Sequence, residues 1–405
     1  MPEPALVTAP AATGRRAFVA PAATLAALYS GNNLPSALYA LLRGTFGFSA
    51  LVQTLLYATA VAVIVPALLV SGPLSDLVGR RGPMLFALGA FLAGDVVFAL
   101  APGTGWLFVA RVAQGLGMGA GAAAAQAMLG DSAGEGQRGQ RRAAMTATAC
   151  VTFGLALGPL AGGLLAQYGP APRHLSFVVH AAVVLAVALL VLRTPRPAPV
   201  KVRGWRPPRL GVPPAIRRTF VIVAASSFLA WAVLGMFSAV VPSLVGTLLG
   251  SANLAVAAAA LALMIATSGF VQFGGRRLLP TAAQASGLVV LAAGLAVLVL
   301  ANGAHLPWLV VPAMLGTGAG HGLVFTGALA ELGVVTPPAE RGSVIGTYYV
   351  VSYVGLGGPV IGVGLLAIAH GLPSATVLAA AVIGGCCLLL APLVFLEIRR
   401  RNRPQ

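Results

Sequence analysis

AAMTATACVTFGLALGPLAGGLLAQ, residues 143–167, runs without a single charged side chain. Crossing the ~30 Å hydrocarbon core of a bilayer takes about 20 predominantly apolar residues in a helix. In lipid the peptide groups have no water to bond, so a run like this one closes its own hydrogen bonds as an α-helix unless its side chains alternate as in a barrel strand. They do not alternate here. Comparable runs at 18–41, 50–71, 83–101, 105–129, 175–193, 219–244, 252–274, 281–301, 306–330, 343–369 and 373–396 bring the expected number of spans to twelve. The expected fold class is all-α, a polytopic membrane protein, and the composition agrees: 58% of residues are apolar and only 8% charged, against ~25% charged in a soluble domain.

The opening stretch has an echo. Residues 158–166, GPLAGGLLA, answer to 358–367, GPVIGVGLLA, with the Gly-Pro pair and the next glycine in register at an offset of 200. Gln137-Arg138-Gly139 answers to Glu340-Arg341-Gly342, Gly79-Arg80-Arg81 to Gly275-Arg276-Arg277, and Asp131 to Glu331, all in the same order. Between Arg193 and Arg218 the chain turns to Pro and Arg, which breaks any helix because proline has no amide donor. The expected organisation is a tail at 1–17, six helices in 18–193, a linker at 194–218, six helices in 219–396 and a tail at 397–405. Two such repeats suit a transporter that rocks about a central site.

A formal charge of +17 would suit nucleic acid only if the basic groups shared one soluble face. Sorted by span, every Lys and Arg except Arg43, Arg173 and the intramembrane Arg111 falls on one side of the membrane. This is the positive-inside pattern, and it puts both termini and the linker in the cytoplasm. No nucleic-acid partner is expected; the partners are the bilayer, a small-molecule substrate and the proton, with the chain a monomer. Cys150, Cys386 and Cys387 lie in apolar spans without metal-binding spacing, and no cofactor or metal is expected. No G-x-x-x-x-G-K-[ST] loop is present, and the sequence offers no facing catalytic pair, so an ATP-driven pump or an intramembrane enzyme is not expected.

Three stretches carry a family resemblance. Gly72-Pro73-Leu74-Ser75-Asp76-Leu77-Val78-Gly79-Arg80-Arg81 resembles the loop signature between the second and third helices of the major facilitator superfamily. Arg111-Val112-Ala113-Gln114-Gly115-Leu116-Gly117 is similar to its R-x-x-Q-G-x-G motif in the fourth helix. Gly154 through Gly163, with Gly158, Pro159 and Gly162, is similar to the fifth-helix motif of its antiporter branches. Leu77 departs from the pattern, which has a basic residue there, and the first span lacks the acid of many multidrug members. The resemblance implies a cytoplasmic switch of Gly72, Asp76, Gly79, Arg80, Arg81 and Asp131, in which Asp76 meets the eleventh helix and Arg80 or Arg81 meets Asp131. It also implies that the first, fourth, seventh and tenth helices line the cavity. That offers Tyr29, Asn32, Asn33, Gln114, Phe228, Trp231, His321 and Phe325 as substrate contacts.

An arginine inside a span is costly unless it is paired or faces water, so Arg111 belongs in the bundle interior. Asp95 comes at a similar depth in the preceding helix, and the two are expected to pair, either as a proton relay or as a static structural pair. His321 is the other candidate for proton coupling, because imidazole changes charge near neutral pH. The expected function is proton-coupled export of small amphipathic compounds by alternating access. The alternatives are an importer or facilitator of a small metabolite and a non-transporting membrane sensor or assembly partner.

Overall fold

The computed structural model describes residues 15–134, 136–194, 210–275 and 277–401; the side chains of 15, 16, 73, 76 and 398–401 lie outside that description. So do most of the expected linker, Arg276 and the carboxylate of Asp76.

Secondary structure among the described residues is helical throughout. The first span is two helices, α1 (Arg15–Asn33) and α2 (Pro35–Phe46). The break lies at Pro35, which brings no N–H to the carbonyl of Gly31 four residues earlier. Leu34 keeps helical angles, so the chain bends there without turning. Single helices follow for the second to tenth spans: α3 (Ala50–Val78), α4 (Arg81–Leu100), α5 (Thr104–Asp131), α6 (Gln137–Tyr168), α7 (Leu175–Leu192), α8 (Arg217–Leu248), α9 (Leu254–Gly275), α10 (Pro280–Gly303) and α11 (Val310–Val335). The last two spans read as one helix, α12 (Arg341–Arg401), broken at Gly371, whose φ of 74° is open to glycine at little cost. Among the described residues, ten helices are long and apolar enough to cross a membrane; counting α1 with α2 and the two limbs of α12 separately gives the expected twelve.

Side-chain contacts confirm the alternation of ends. Arg173, before α7, lies over the ring of Phe46 at the end of α2. At the opposite end Arg142 covers Phe18, and Arg81 bonds the carbonyl of Leu192. Large apolar side chains such as Leu100, Val334 and Leu389 stay exposed on the outside, the face a bilayer would cover. Cys387 is buried, but Cys386 points outward rather than into the packing.

Glycines set the close helix approaches. On α6, a Cβ on Gly158 would lie 2.2 Å from the Ser30 carbonyl oxygen of α1, and one on Gly154 2.9 Å from that of Ala26, whereas Gly163 faces Leu254 and Ala258 of α9. The second half repeats this with Gly355 against Phe228 of α8 and Gly364 against Thr54 of α3. These equivalences (355 with 154, 364 with 163) run one residue beyond the offset read from the sequence. Gly358 and Gly362, which match Gly158 and Gly162 in sequence, meet nothing within 4 Å. The Gly-Pro identity marks the repeat, and the contact face has shifted by one position.

The halves meet where α3 packs along α12, α6 along α9, and α2 against α8 and α9. Gln53 donates to the Ala239 carbonyl across this seam at 2.7 Å. Gln167 accepts from the Leu254 amide at 2.9 Å, and Asn253 donates to the Tyr168 hydroxyl at 3.2 Å. All three bonds lie at the end away from the termini.

Candidate functional site

Arg111 of α5 is 1% exposed and ties three helices together. Its Nε donates to the Leu56 carbonyl of α3 at 3.2 Å, and its Nη1 donates to the Asn32 carbonyl of α1 and to Gln114 Oε1, each at 2.9 Å. The Tyr57 ring lies below the guanidinium at 5.7 Å. Gln114 points its amide at the Gly31 carbonyl, 3.4 Å away, the same carbonyl that Pro35 leaves without its helical donor. The break in the first span and the fourth-helix arginine-glutamine pair are therefore one structure, in which the polar side chains of α5 hold the open carbonyls of α1.

Asp95 does not pair with Arg111, contrary to the sequence expectation. Its Oδ2 lies 2.6 Å from Nδ1 of His180 on α7, and both residues are buried. Equal depth put Arg111 and Asp95 within reach of each other, but the rotational phase of α4 turns the carboxylate toward α7. His180 stands alone in the apolar run of α7, and the sequence reading passed over it. The signal that finds it is the cost of an ionisable group inside a span, applied to His180 as it was to Asp95.

Beside this network, at the seam, lies a group of half-buried aromatic rings. Trp231 of α8 has its centroid 5.1 Å from Tyr353, 6.2 Å from Phe325 and 6.4 Å from Tyr349. The ring of His321 stacks parallel to Phe325. Tyr353 packs against the large apolar cluster that runs through both halves and against a second cluster within the first half, where Tyr29 of α1 joins it. Tyr349 and Tyr353 come from α12, which the cavity assignment left out; their i, i+4 spacing on a seam helix is the signal that places them. Buried polar atoms without a hydrogen-bond partner among the described residues sit among these helices: Asn32 Oδ1, Trp231 Nε1 and His321 Nε2. His321 Nδ1 is bonded to Ser268 Oγ at 2.8 Å.

Not every expected contact reaches this region. Asn33 spends both ends of its amide internally, donating to the Leu155 carbonyl and accepting from Ser36, and Gln114 is wholly buried in the arginine network. Phe228 is half-buried on α8, with its backbone against Gly355.

At the end bearing the termini, Arg80 Nε lies 2.6 Å from Asp131 Oδ2, while Arg81 bonds α7. Gly79 closes α3 at φ 82°, and Gly72 stands open. Asp131 is 60% exposed, so its pairing contributes under ~1 kcal/mol. Asp131→Asn is expected to leave the melting temperature of the purified protein nearly unchanged; a drop of many degrees would show a tighter bond than the geometry gives.

The sequence matches the Major Facilitator Superfamily over residues 20–358. A probable vesicular acetylcholine transporter of Danio rerio is 35% identical over 31% of this chain, and an MFS efflux transporter of Aspergillus oryzae is 33% identical over 28% of it. These matches span only 25% and 19% of those proteins' own lengths. Among solved structures, a D-xylose-proton symporter superposes with a TM-score of 0.73 at 15% identity, covering 93% of this chain and 97% of that one. A bacterial homologue of the human lysosomal transporter Spinster superposes with a TM-score of 0.72 at 16% identity, covering 96% and 98%. At such identities the likeness is one of fold, and the family match over most of the sequence supplies the assignment: this chain is a membrane transporter of the Major Facilitator Superfamily.

Proposed function

We propose that the chain exports small amphipathic organic compounds in exchange for protons, by alternating access, from the cytoplasm across a bacterial inner membrane. The observation that carries this reading is the aromatic group at the seam. Tyr29, Trp231, Phe325, Tyr349 and Tyr353 offer large amphipathic surfaces, with unpaired polar atoms of Asn32, Trp231 and His321 beside them. Such a lining binds a lipophilic molecule bearing one or two polar groups better than a sugar, which needs many donors and acceptors.

The one-sided charge distribution supports cytoplasmic termini. The seam bonds of Gln53, Gln167 and Asn253 then hold the halves together on the outer side. Arg80, Arg81 and Asp131, with Asp76, sit where a switch on the cytoplasmic side would act. The A. oryzae relative's description as an efflux transporter also favours export.

The test is accumulation of a panel of lipophilic fluorescent dyes in cells stripped of their own exporters. Expression is expected to lower accumulation of at least one dye several-fold. A protonophore is expected to abolish the effect, and Trp231→Ala to weaken it. Unchanged accumulation of every dye would remove amphipathic export, and raised accumulation would reverse the direction.

A further inference from the structure

We propose that Asp95 and His180 form one proton-binding site inside the first half, and that α1 responds to its loading. The proposal rests on the proton-coupled reading above and names the groups that carry the proton.

The hydrogen bonds fix the proton count. His180 Nε2 lies 3.0 Å from the Ala27 carbonyl, which can only accept, so Nε2 carries a hydrogen. Nδ1 lies 2.6 Å from Asp95 Oδ2, and two lone pairs do not meet at that distance. One further proton therefore sits between them, as an imidazolium facing a carboxylate or as an imidazole facing a carboxylic acid. In either form the pair is the loaded state.

Releasing that proton changes what the ring can bond. The one remaining imidazole proton is best placed on Nδ1, facing the carboxylate. Nε2 then presents a lone pair to the Ala27 carbonyl, a repulsive contact. The group able to satisfy it is the Ser30 hydroxyl, 3.4 Å away, which now donates to the same Ala27 carbonyl at 3.0 Å. Unloading therefore removes the bond from α7 to Ala27 and turns Ser30 toward the ring.

The surroundings make α1 sensitive to this exchange. The imidazole fills the space beside Gly31, where a Cβ would lie 2.2 Å from its Cε1, and the Phe91 ring of α4 closes the same space. Ala27 and Ser30 flank Tyr29, which reaches the seam, and Gly31 and Asn32 are the residues held by Gln114 and Arg111. Of the titratable and charged groups on the elements packed about the pair, Arg111 on α5, Tyr29 on α1, Cys150 and Tyr168 on α6, His174 at the start of α7 and Tyr57 of α3 beneath Arg111 lie within the helices or toward the pair's end of them, whereas Arg81 of α4, Asp131 of α5 and Arg138, Arg141 and Arg142 of α6 stand at the opposite ends of their helices. Arg111 is a fixed positive charge, linked to the neighbourhood through Gln114, whose side chain packs on Gly94 beside Asp95.

The experiment is pH-difference infrared spectroscopy of the full chain in lipid vesicles without substrate, with ring-labelled histidine. One titration step is expected in which an imidazole band and a carboxyl band change together. Asp95→Asn, whose amide can still donate to Nδ1, is expected to remove the carboxyl change and hold the histidine neutral. His180→Gln is expected to remove the imidazole change. A step that both variants leave intact overturns the proposal. Dye-driven proton flux in the same vesicles separates the two claims. If both variants keep proton-driven export, the pair is not the coupling site while the functional reading stands. If the unaltered chain exports dye without proton flux, the functional reading fails, and the infrared step still decides whether the pair binds a proton.

Discussion

Gly158→Val is expected to abolish transport and to reduce the folded protein recovered from membranes several-fold. A Cβ at this position would lie 2.2 Å from the Ser30 carbonyl oxygen and 3.1 Å from the Leu34 amide nitrogen. These are backbone atoms, so no rotamer relieves the clash, and α1 itself would have to withdraw from α6. Gly154 and Gly162 extend the same approach one turn to either side, against Ala26 and Leu34. Overpacking of a tight contact costs typically 1–3 kcal/mol, and here it also displaces the helix that carries Tyr29, Asn32 and the carbonyls held by Arg111. Gly158→Ala is expected to act in the same direction and less strongly. The control is Gly358→Ala, the position paired with Gly158 by sequence, where nothing lies within 4 Å. Its stability is expected to be unchanged or slightly raised, as helical glycine gives way to alanine. Size-exclusion profiles and thermal melts of fluorescent fusions would read both. Equal behaviour of Gly158→Ala and Gly358→Ala would show that the close approach does not constrain α6.

The contrast between these two glycines shows what the sequence could and could not reveal. Long charge-free runs announce the helices, because length and apolarity are properties of one segment. The arginine pattern likewise gives the alternation of ends, and the Pro-Arg linker and Gly-Pro echo give two repeats. Rotational phase is different. A membrane helix is apolar on its lipid face and apolar on much of its packed face, so periodicity gives little account of which way Asp95 points. Depth alone allowed Arg111 as its partner, and the actual partner, His180, lies 85 residues along the chain. Tyr349 and Tyr353 were hidden for the same reason, since only packing shows which face of α12 meets the other half. Arg111 was legible as an interior group because its cost in lipid requires partners. That those partners would be carbonyls, one of them beside a carbonyl orphaned by Pro35, needed the fold.

Arg111→Lys is expected to lower dye export at least tenfold, even though it keeps the charge. The guanidinium is a planar fork whose Nε and Nη1 reach helices α1, α3 and α5 at once, at 2.9 to 3.2 Å. A lysine ammonium is a single point on a flexible stem, and it cannot reproduce that spread of donors. It would leave either Leu56 or Asn32 without its partner and would hold a buried charge with fewer bonds, a state costing several kcal/mol. Arg111→Met provides the comparison. It removes the charge and keeps most of the volume, so the fold is expected to survive better than with lysine, yet export is expected to be lost. Of the bonds from α5 to the open carbonyls of α1, the 3.4 Å contact from Gln114 would then be what is left. Melting temperature and dye export measured on the three proteins separate the roles. If Arg111→Lys exported normally, charge alone would suffice at this position and the three-helix clasp would have no part in transport. If lysine melted lower than methionine while both failed to export, the guanidinium's geometry would be what joins the hinge in the first span to the transport cycle.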